Sequence, residues 1–150
     1  MQPAYLADMS EHSSEQVIDQ TSLVATDLGA SLTVASVPRS RDWYREVLGF
    51  TVDREFEREG NLFAVSMRAG AARVLLTQDN GAKGEGRTKG EGFSLQFTTQ
   101  GDVDAVAARA IAAGATLDTE PTDVWGQRVF RLRDLDGFRL VISSQRQGDR

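Results

Sequence analysis

Two arginines stand at equivalent positions of a repeated segment and are the first candidates for chemistry. The segment RVLLT at 73–77 is followed, 66 residues later, by RLVIS at 139–143. A guanidinium presents a planar fork of N–H donors that matches carboxylate and carbonyl oxygens. Arg73 and Arg139 therefore indicate either recognition of an anionic or carbonyl-rich ligand, or two solvated side chains paired with Glu57, Glu59 or Asp136.

Two pairs of aspartates have a spacing that suggests paired carboxylates for acid–base catalysis. Asp102 and Asp104 stand where a helix is expected to begin, and Asp134 and Asp136 stand in an expected hairpin turn. Both are places where aspartate is favoured for local hydrogen bonds, and this explains the pairs without catalysis. The sequence has no cysteine and a single histidine, which lies at position 12. We therefore predict no catalytic residue in the body of the chain.

The repeat extends well beyond the two arginines. GASLTV at 29–34 returns as GFSLQF at 92–97, 63 residues later, and GN at 60–61 returns as GQ at 126–127, 66 residues later. Such a small drift predicts two copies of one supersecondary unit that differ only in loop length. A functional site is then expected where the copies face each other.

Each copy reads as a strand, a helix and three strands. In the first copy Leu32 and Val34 alternate with polar residues, which is typical of a half-buried strand. Ser40 can cap a helix that ends at Gly49. The strands that follow are predicted at about 50–56, 61–68 and 72–78. In the second copy we predict a strand at 93–98, a helix from Asp102 to Gly114, and strands at about 116–120, 127–133 and 138–143.

The resulting fold class is α+β, with two βαβββ modules that pair into a cup-shaped mixed sheet around a central cavity. A lone module cannot cover its sheet, so the two must pack together. The predicted organisation is an N-terminal extension at 1–27, a first module at 28–78, a glycine-rich linker at 79–91, a second module at 92–145 and a tail at 146–150. The extension is either a mobile tail or an extra helix docked on the body or on a partner subunit.

Composition narrows the class of partner. The 150 residues carry a formal net charge of −5, with 40% hydrophobic and 26% charged residues, and the sequence pI is about 4.9. An acidic chain without a clustered basic face is not expected to bind nucleic acid. No apolar run approaches the roughly 20 residues of a membrane span, and no basic segment followed by an apolar core marks a signal peptide. We expect no membrane partner and a cytoplasmic location.

Several short motifs occur in a fixed order along the two copies. They are RS at 39–40, WY at 43–44 and LGF at 48–50 in the first copy, and DVD at 102–104, AGA at 113–115, WG at 125–126 and RDLDG at 133–137 in the second. Over residues 29–145 this order resembles the vicinal oxygen chelate superfamily, which includes glyoxalase I, extradiol dioxygenases, fosfomycin-resistance thiol transferases and bleomycin-binding proteins. The resemblance implies two cups that enclose one cavity, and a homodimer in which the modules either pair within one chain or are swapped between two chains.

The same resemblance bears on metal binding. Metal enzymes of this superfamily use four ligands, typically His, Gln or Glu, from the first and last strands of each copy. The equivalent positions here are Gly29, Leu75, Gly92 and Val141, whose side chains offer no donor to a divalent ion. The resemblance therefore implies a member without a metal or other cofactor, and without the metal-dependent isomerisation, extradiol cleavage or fosfomycin opening of its relatives.

Those four positions also identify the cavity-facing side of each strand, because side chains alternate with period two. The inward residues are polar, and the opposite face is apolar and suited to packing under the helices. Trp125, on a loop, is expected either to stack on a flat ligand and cover the cavity mouth, or to pack against the neighbouring copy. The predicted ligand-binding residues are Thr33, Phe63, Arg73, Leu75, Phe93, Gln96, Trp125, Arg139 and Val141.

Three functions remain open on this basis. The leading hypothesis is a metal-free small-molecule-binding protein, similar to the bleomycin-binding resistance proteins, that sequesters or carries an aromatic or polar metabolite or antibiotic. The alternative is an enzyme: a glyoxalase-like lyase or isomerase relic, or a metal-independent enzyme in which Arg73, Arg139 or Gln96 polarises a carbonyl. The third is an assembly role in which the cavity is collapsed and only the dimer matters.

Overall fold

The computed structural model of the chain describes residues 19–146 and shows two modules with the same order of elements. The predicted α+β class and the βαβββ order of both modules are confirmed. The first module consists of β1 (Ala30–Val34), α1 (Val37–Leu48), β2 (Thr51–Arg58), β3 (Asn61–Ala69) and β4 (Ala72–Gln78). The second consists of β5 (Leu95–Thr99), α2 (Val103–Ala112), β6 (Leu117–Val124), β7 (Gln127–Arg133) and β8 (Arg139–Ser144).

Each module forms one four-stranded mixed sheet. The strand orders are β1-β4-β3-β2 and β5-β8-β7-β6, with the first strand parallel to the last strand of its module and the other pairs antiparallel. The face of each sheet on the helix side is apolar, and Leu32, Val74, Leu76, Leu140 and Ile142 are buried there. This confirms the predicted separation of an apolar face from a polar one.

Helix α1 begins one turn earlier than the sequence predicted. Its N-cap is Ser36, whose hydroxyl accepts the N–H of Arg39 at 3.3 Å. Pro38 lies in the first turn, where its missing N–H costs no hydrogen bond. The prediction that Ser40 caps the helix was wrong, since Ser40 is buried within it. Gly49 ends the helix with a φ of +72°, as expected of a left-handed C-cap.

The two modules pack against each other within one chain and share a continuous hydrophobic core. Phe50 and Phe97, one from each module, meet edge to face with ring centroids 5.7 Å apart. The guanidinium of Arg109 on α2 donates to the carbonyl oxygens of Arg45 and Glu46 at the end of α1, at 3.2 and 3.3 Å. The two helices therefore contact each other on the apolar side of the sheets, and the polar face of each sheet stays open.

The chain between β4 and β5 is attached to both modules by one lysine. The Lys89 ammonium donates to the Thr33 carbonyl oxygen at 3.0 Å and to the Asp79 carboxylate at 2.7 Å, and it lies 3.7 Å from Asp136. Its side chain is largely buried among these groups. The segment is thereby held against the point where the modules meet.

The ends of the chain bear on two further expectations. Residues 1–18 and 147–150, which make up most of the predicted extension and tail, lie outside the described residues. Residues 19–29 precede the first strand, and Asp27 within them contacts the first sheet through Arg73. None of the helices in the 19–146 range has both the length and the apolar character needed to cross a membrane.

Candidate functional site

The open face of each sheet has a half-buried aliphatic residue near its centre and polar residues around it. In the first sheet Leu75 lies beside Ser31, and the hydroxyls of Thr33 and Thr77 are 3.4 Å apart. In the second sheet Val141 lies beside Gln96. Because the remaining face of each sheet is occupied by its helix, a ligand can approach the sheets only from this polar side or along their edges.

A cleft of about 520 Å³ lies between the facing edges β1 and β5. Its lining includes Ser31 and Arg73 from the first module and Phe93, Ser94 and Gln96 from the second module and the segment before it. Residues of both modules meet in this cleft. It brings together three of the predicted ligand-binding residues, namely Arg73, Phe93 and Gln96.

A second cleft, of about 400 Å³, lies over the open face of the second sheet. It is lined by Phe93, Ser94, Arg131, Arg139 and Val141, together with Asp118 and neighbouring backbone. Phe93 and Ser94 belong to both linings, so the two clefts adjoin. Both volumes lie within the range that small-molecule sites occupy.

A third cleft, of about 910 Å³, is larger but chemically plainer. It lies where the β3–β4 turn approaches β5, and its lining from Leu48–Phe50, Ala69–Ala72 and Gln96–Gln100 contains no charged side chain. It offers amides, hydroxyls and apolar surface, but no group that could hold an ionised ligand. The charged groups of the candidate site are therefore those of the two adjoining clefts.

The two predicted arginines differ in their surroundings. Arg73 donates a hydrogen bond from Nη2 to the Asp27 carboxylate, and this contact raises the pKa of Arg73 and lowers the pKa of Asp27. Its partner thus comes from the segment before β1, and is none of the three acids that the sequence suggested. Arg139 has no ion-pair partner within residues 19–146. The charge of Arg139 is the one that remains available to a ligand.

Phe63 is the extra residue of a β-bulge. Between the pairs Phe56–Ala64 and Glu57–Leu62 the register shifts by one residue of β3, which leaves Phe63 without a partner on β2. Its ring lies 6.4 Å from that of Phe56 and carries the Arg58 guanidinium at 4.8 Å. It does not join the other predicted residues in the lining of the two adjoining clefts.

Trp125 lies at the tip of the β6–β7 hairpin with 88% of its surface exposed. It has a φ of +53° and is followed by Gly126 at +81°, so both central residues of the turn are left-handed. The indole does not line either of the adjoining clefts. The structure therefore separates Trp125 from Arg139 and Phe93, with which the sequence grouped it.

Arg131 is a cleft residue that the sequence interpretation missed. It lies opposite Val141 on the open face, and both line the second cleft. The signal was present in the alternation of β7, because Arg131 and Arg133 flank the buried Leu132. Cross-strand register was needed to show that they share a face with Arg139.

The aspartates that resembled catalytic pairs all contact other groups of the protein. Asp102 caps α2, and Asp104 binds Arg128 with bonds of 2.9 and 3.0 Å. Asp134 accepts the Tyr44 hydroxyl at 2.7 Å and the N–H of Phe138 at 2.9 Å, and Asp136 accepts the N–H of Ala35 at 2.8 Å. Burial raises the pKa of Asp134, but its carboxyl lies in the core between the modules. Asp134 and Asp136 thus join the modules, and none of the four aspartates lines the two adjoining clefts.

The donors that a divalent metal requires do not come together in the described part of the chain. No three side chains of His, Cys, Asp or Glu within residues 19–146 lie close enough to hold a metal ion. Leu75 and Val141 occupy the centres of the open faces, and neither has a donor atom. The residues present do not fit a metal centre of the glyoxalase kind.

Comparisons with known proteins agree with this architecture. The family model for the Glyoxalase/Bleomycin resistance protein/Dioxygenase superfamily matches residues 18–142. TioX from Micromonospora sp. ML1 shares 23% identity, covers 80% of this chain and 98% of its own, and superposes with a TM-score of 0.64. A member of the same superfamily from Sphaerobacter thermophilus shares 22% identity over 81% of this chain and 98% of its own, with a TM-score of 0.64.

A further solved structure extends over nearly the whole chain. A glyoxalase/bleomycin resistance protein/dioxygenase from Nocardioides covers 97% of this chain and 96% of its own at 15% identity, with a TM-score of 0.64. At these identities the likeness shows the fold alone. A search of curated proteins found no significant match.

Proposed function

The chain belongs to the Glyoxalase/Bleomycin resistance protein/Dioxygenase superfamily, and from this premise we propose that it is a small-molecule-binding protein that works without a metal. Its ligand is an aromatic or polar metabolite or antibiotic, which the protein sequesters or carries. For the described residues, we propose ligand binding in preference to catalysis.

The observation that carries the proposal is the pair of adjoining clefts. Phe93 and Ser94 line both, and Arg73, Gln96 and Arg139 add charged and amide groups around them. An apolar and aromatic wall with a few convergent polar groups is the usual composition of a small-molecule site.

The state of the acidic residues supports binding rather than catalysis. Catalysis by acid–base transfer needs a carboxylate or imidazole within reach of the ligand. The acid that lines the second cleft, Asp118, is hydrogen-bonded to Arg133 at 3.2 Å. Asp134 and Asp136 are directed at Tyr44 and at the Ala35 N–H.

The protein is also proposed to form a homodimer. Leu28 and Trp125 are 93% and 88% exposed, and Val24 is 64% exposed. Large apolar side chains held in water favour association when they are gathered in one contact surface. Light scattering at micromolar concentration is expected to give twice the mass of the chain, and a monomer mass would contradict this part of the proposal.

The binding proposal is tested by a thermal-shift screen of metabolites and antibiotics. A ligand that binds only the native state stabilises it by RT ln(1 + L/Kd), where L is the free ligand concentration, so the melting temperature rises with the ligand concentration. The Ser94→Phe variant should lose the response, because the new ring fills a position shared by both clefts. Ser22→Phe, at an exposed position before β1, is the matched control and should retain the response. An unchanged response in Ser94→Phe would place the site elsewhere.

A further inference from the structure

The open face of the second sheet carries three arginines in neighbouring positions. Arg133 and Arg139 are direct cross-strand partners. Arg131, two residues before Arg133 on the same strand, lies on the same face, opposite Val141. Like charges directly opposite one another in a sheet destabilise it. One acid relieves this arrangement, since Asp118 binds Arg133. Arg131 and Arg139 have no ion-pair partner among residues 19–146.

The first module provides an internal comparison. There the equivalent cross-strand pair is Arg68 and Arg73. Arg68 lies 3.5 Å from Asp53, and Arg73 is hydrogen-bonded to Asp27, so both charges are compensated. The position that corresponds to Arg131 is occupied by Ser66, which lies opposite Leu75.

The two modules therefore have the same strand pairing, but they differ in how the charges of their paired arginines are compensated. In the first, both members of the cross-strand arginine pair have an acid partner, and Arg54, on the same face opposite Ser66, lies over the Phe56 ring at 4.9 Å. In the second, two guanidinium groups remain uncompensated, in a chain whose net charge is −5. The two arginines of the second copy that have no acid partner both line the 400 Å³ cleft on its open face.

We propose that this cleft is an anion site for an aromatic carboxylate held by Arg131 and Arg139. This inference rests on the proposed function and names the class of ligand. Planar guanidinium forks match the two oxygens of a carboxylate. Phe93, with 47% of its surface exposed, supplies a ring face beside them, and Ser94 supplies a hydroxyl.

The size and composition of the cleft restrict the ligand further. A volume of about 400 Å³ accepts a molecule with one or two rings. Val141 at its centre and Phe93 at its wall favour an apolar ring over a hydrated sugar or an inorganic ion. The bound carboxylate compensates the positive charge that remains after Asp118 has paired with Arg133.

The experiment compares benzoate with benzamide, a neutral molecule of the same shape, by isothermal titration calorimetry. Benzoate is expected to bind in a saturable manner and benzamide at least about tenfold more weakly, as loss of a charged hydrogen bond predicts. Arg131→Gln and Arg139→Gln should each weaken benzoate binding about tenfold or more. Phe93→Leu should weaken both compounds.

Arg68→Gln is the matched control, because it removes an arginine from the open face of the other sheet and should leave benzoate binding unchanged. Without ligand, Arg139→Gln should fold normally and melt no lower than the wild type, since it relieves repulsion from Arg133. Equal binding of benzoate and benzamide, equal losses in Arg68→Gln and Arg139→Gln, or no saturable benzoate binding would overturn the proposal.

The outcomes separate this inference from the proposed function. The thermal-shift screen could give a neutral ligand whose binding is lost in Ser94→Phe, while benzoate does not bind. That result would overturn the anion site and leave the binding function intact. A screen that gives no ligand at all, with no benzoate binding, would contradict both.

Discussion

The hydroxyl of Tyr44 on α1 donates a 2.7 Å hydrogen bond to the carboxylate of Asp134 in the turn between β7 and β8. The tyrosine is fully buried and belongs to one module, while the aspartate belongs to the other. The second oxygen of Asp134 accepts the N–H groups of Asp136 and Phe138 at 3.0 and 2.9 Å. One carboxylate thus orders its own turn and joins the two copies of the repeat.

Tyr44→Phe should destabilise the fold. It removes the hydroxyl and leaves one oxygen of a buried carboxylate without a donor, at a cost of about 1–3 kcal/mol in the free energy of unfolding. Urea unfolding measures this cost. In the Asp134→Asn background the same substitution should cost less, because the two residues act as a pair. Equal costs in both backgrounds would show that the hydrogen bond contributes nothing specific.

Asp134 should also give the protein a characteristic dependence of stability on pH. Burial raises the pKa of its carboxyl above the ordinary value of 3.8, so the folded state binds the proton more tightly than the unfolded state. Stability that this group contributes is present at low pH and is lost as the pH rises from that ordinary value through the raised one. The acid-induced losses from Asp27 and Asp79, whose pKa values are lowered, run in the opposite direction.

The Asp134→Asn variant isolates this contribution. The losses from Asp27 and Asp79 are common to both proteins and cancel in the difference between their free energies of unfolding. The variant should therefore gain stability relative to the wild type as the pH rises above about 4, and the difference should be flat at lower pH. Urea unfolding at a series of pH values measures it. A difference that stays constant, or that falls with rising pH, would contradict the raised pKa.

Gly90 offers a test of the contact between the β4–β5 segment and the second module. A Cβ at this position would lie 2.8 Å from Cδ1 and 3.1 Å from Cα of Phe138, and its φ is +77°. Gly86 has a φ of +69° with no atom within 4 Å of such a Cβ. Both alanine variants bear the left-handed strain of about 1–2 kcal/mol. Gly90→Ala should lose about 1–3 kcal/mol more, from overpacking.

Equal unfolding free energies of the Gly86→Ala and Gly90→Ala variants would contradict this prediction. The comparison is informative because both glycines belong to the same glycine-rich segment, whose composition alone suggested a free linker. In the structure, only one of them lies against a buried aromatic ring.

Much of the fold follows from local pattern in the sequence. The alternation of Leu32 and Val34 with polar residues in β1 is enough to assign a helix-facing side. Burial then confirms it. The rule holds because residue spacing in a strand has a fixed period and because apolar side chains need cover. For the helix start, both Ser36 and Ser40 can cap, and Pro38 favours the earlier start because it then lies in the first turn.

The candidate site depends on contacts that local pattern does not contain. The partner of Arg73 is Asp27, from a segment that the repeat did not include. Phe63 leaves the regular alternation because a bulge inserts it, and a bulge shows only in the pairing of two strands. Arg131 shares a face with Arg139 through the β7–β8 register. Each of these relationships joins residues that are distant in sequence or depends on cross-strand pairing, so composition and spacing cannot predict them.

Trp125 and Glu59 occupy the same position in equivalent hairpins. Glu59 has a φ of +52° and is followed by Gly60 at +77°, as Trp125 is by Gly126. Turns with two left-handed residues favour Asn-Gly, and a bulky side chain there carries a strain of about 1 kcal/mol or more. Since the indole is almost fully exposed, its burial within the chain does not offset that strain. Burial of the indole against a second copy of the chain would offset the strain.

The prediction is therefore that Trp125→Asn and Glu59→Asn differ in their effect on assembly. Both should raise the free energy of unfolding of the monomer, measured at low protein concentration, because asparagine tolerates the left-handed conformation. Trp125→Asn should also shift the mass from dimer to monomer in light scattering, whereas Glu59→Asn should leave the mass unchanged. Benzoate binding should be the same in both variants, since neither residue lines the second cleft. If Trp125→Asn remains a dimer, the interface lies elsewhere. If Trp125→Asn loses benzoate binding, Trp125 belongs to the ligand site.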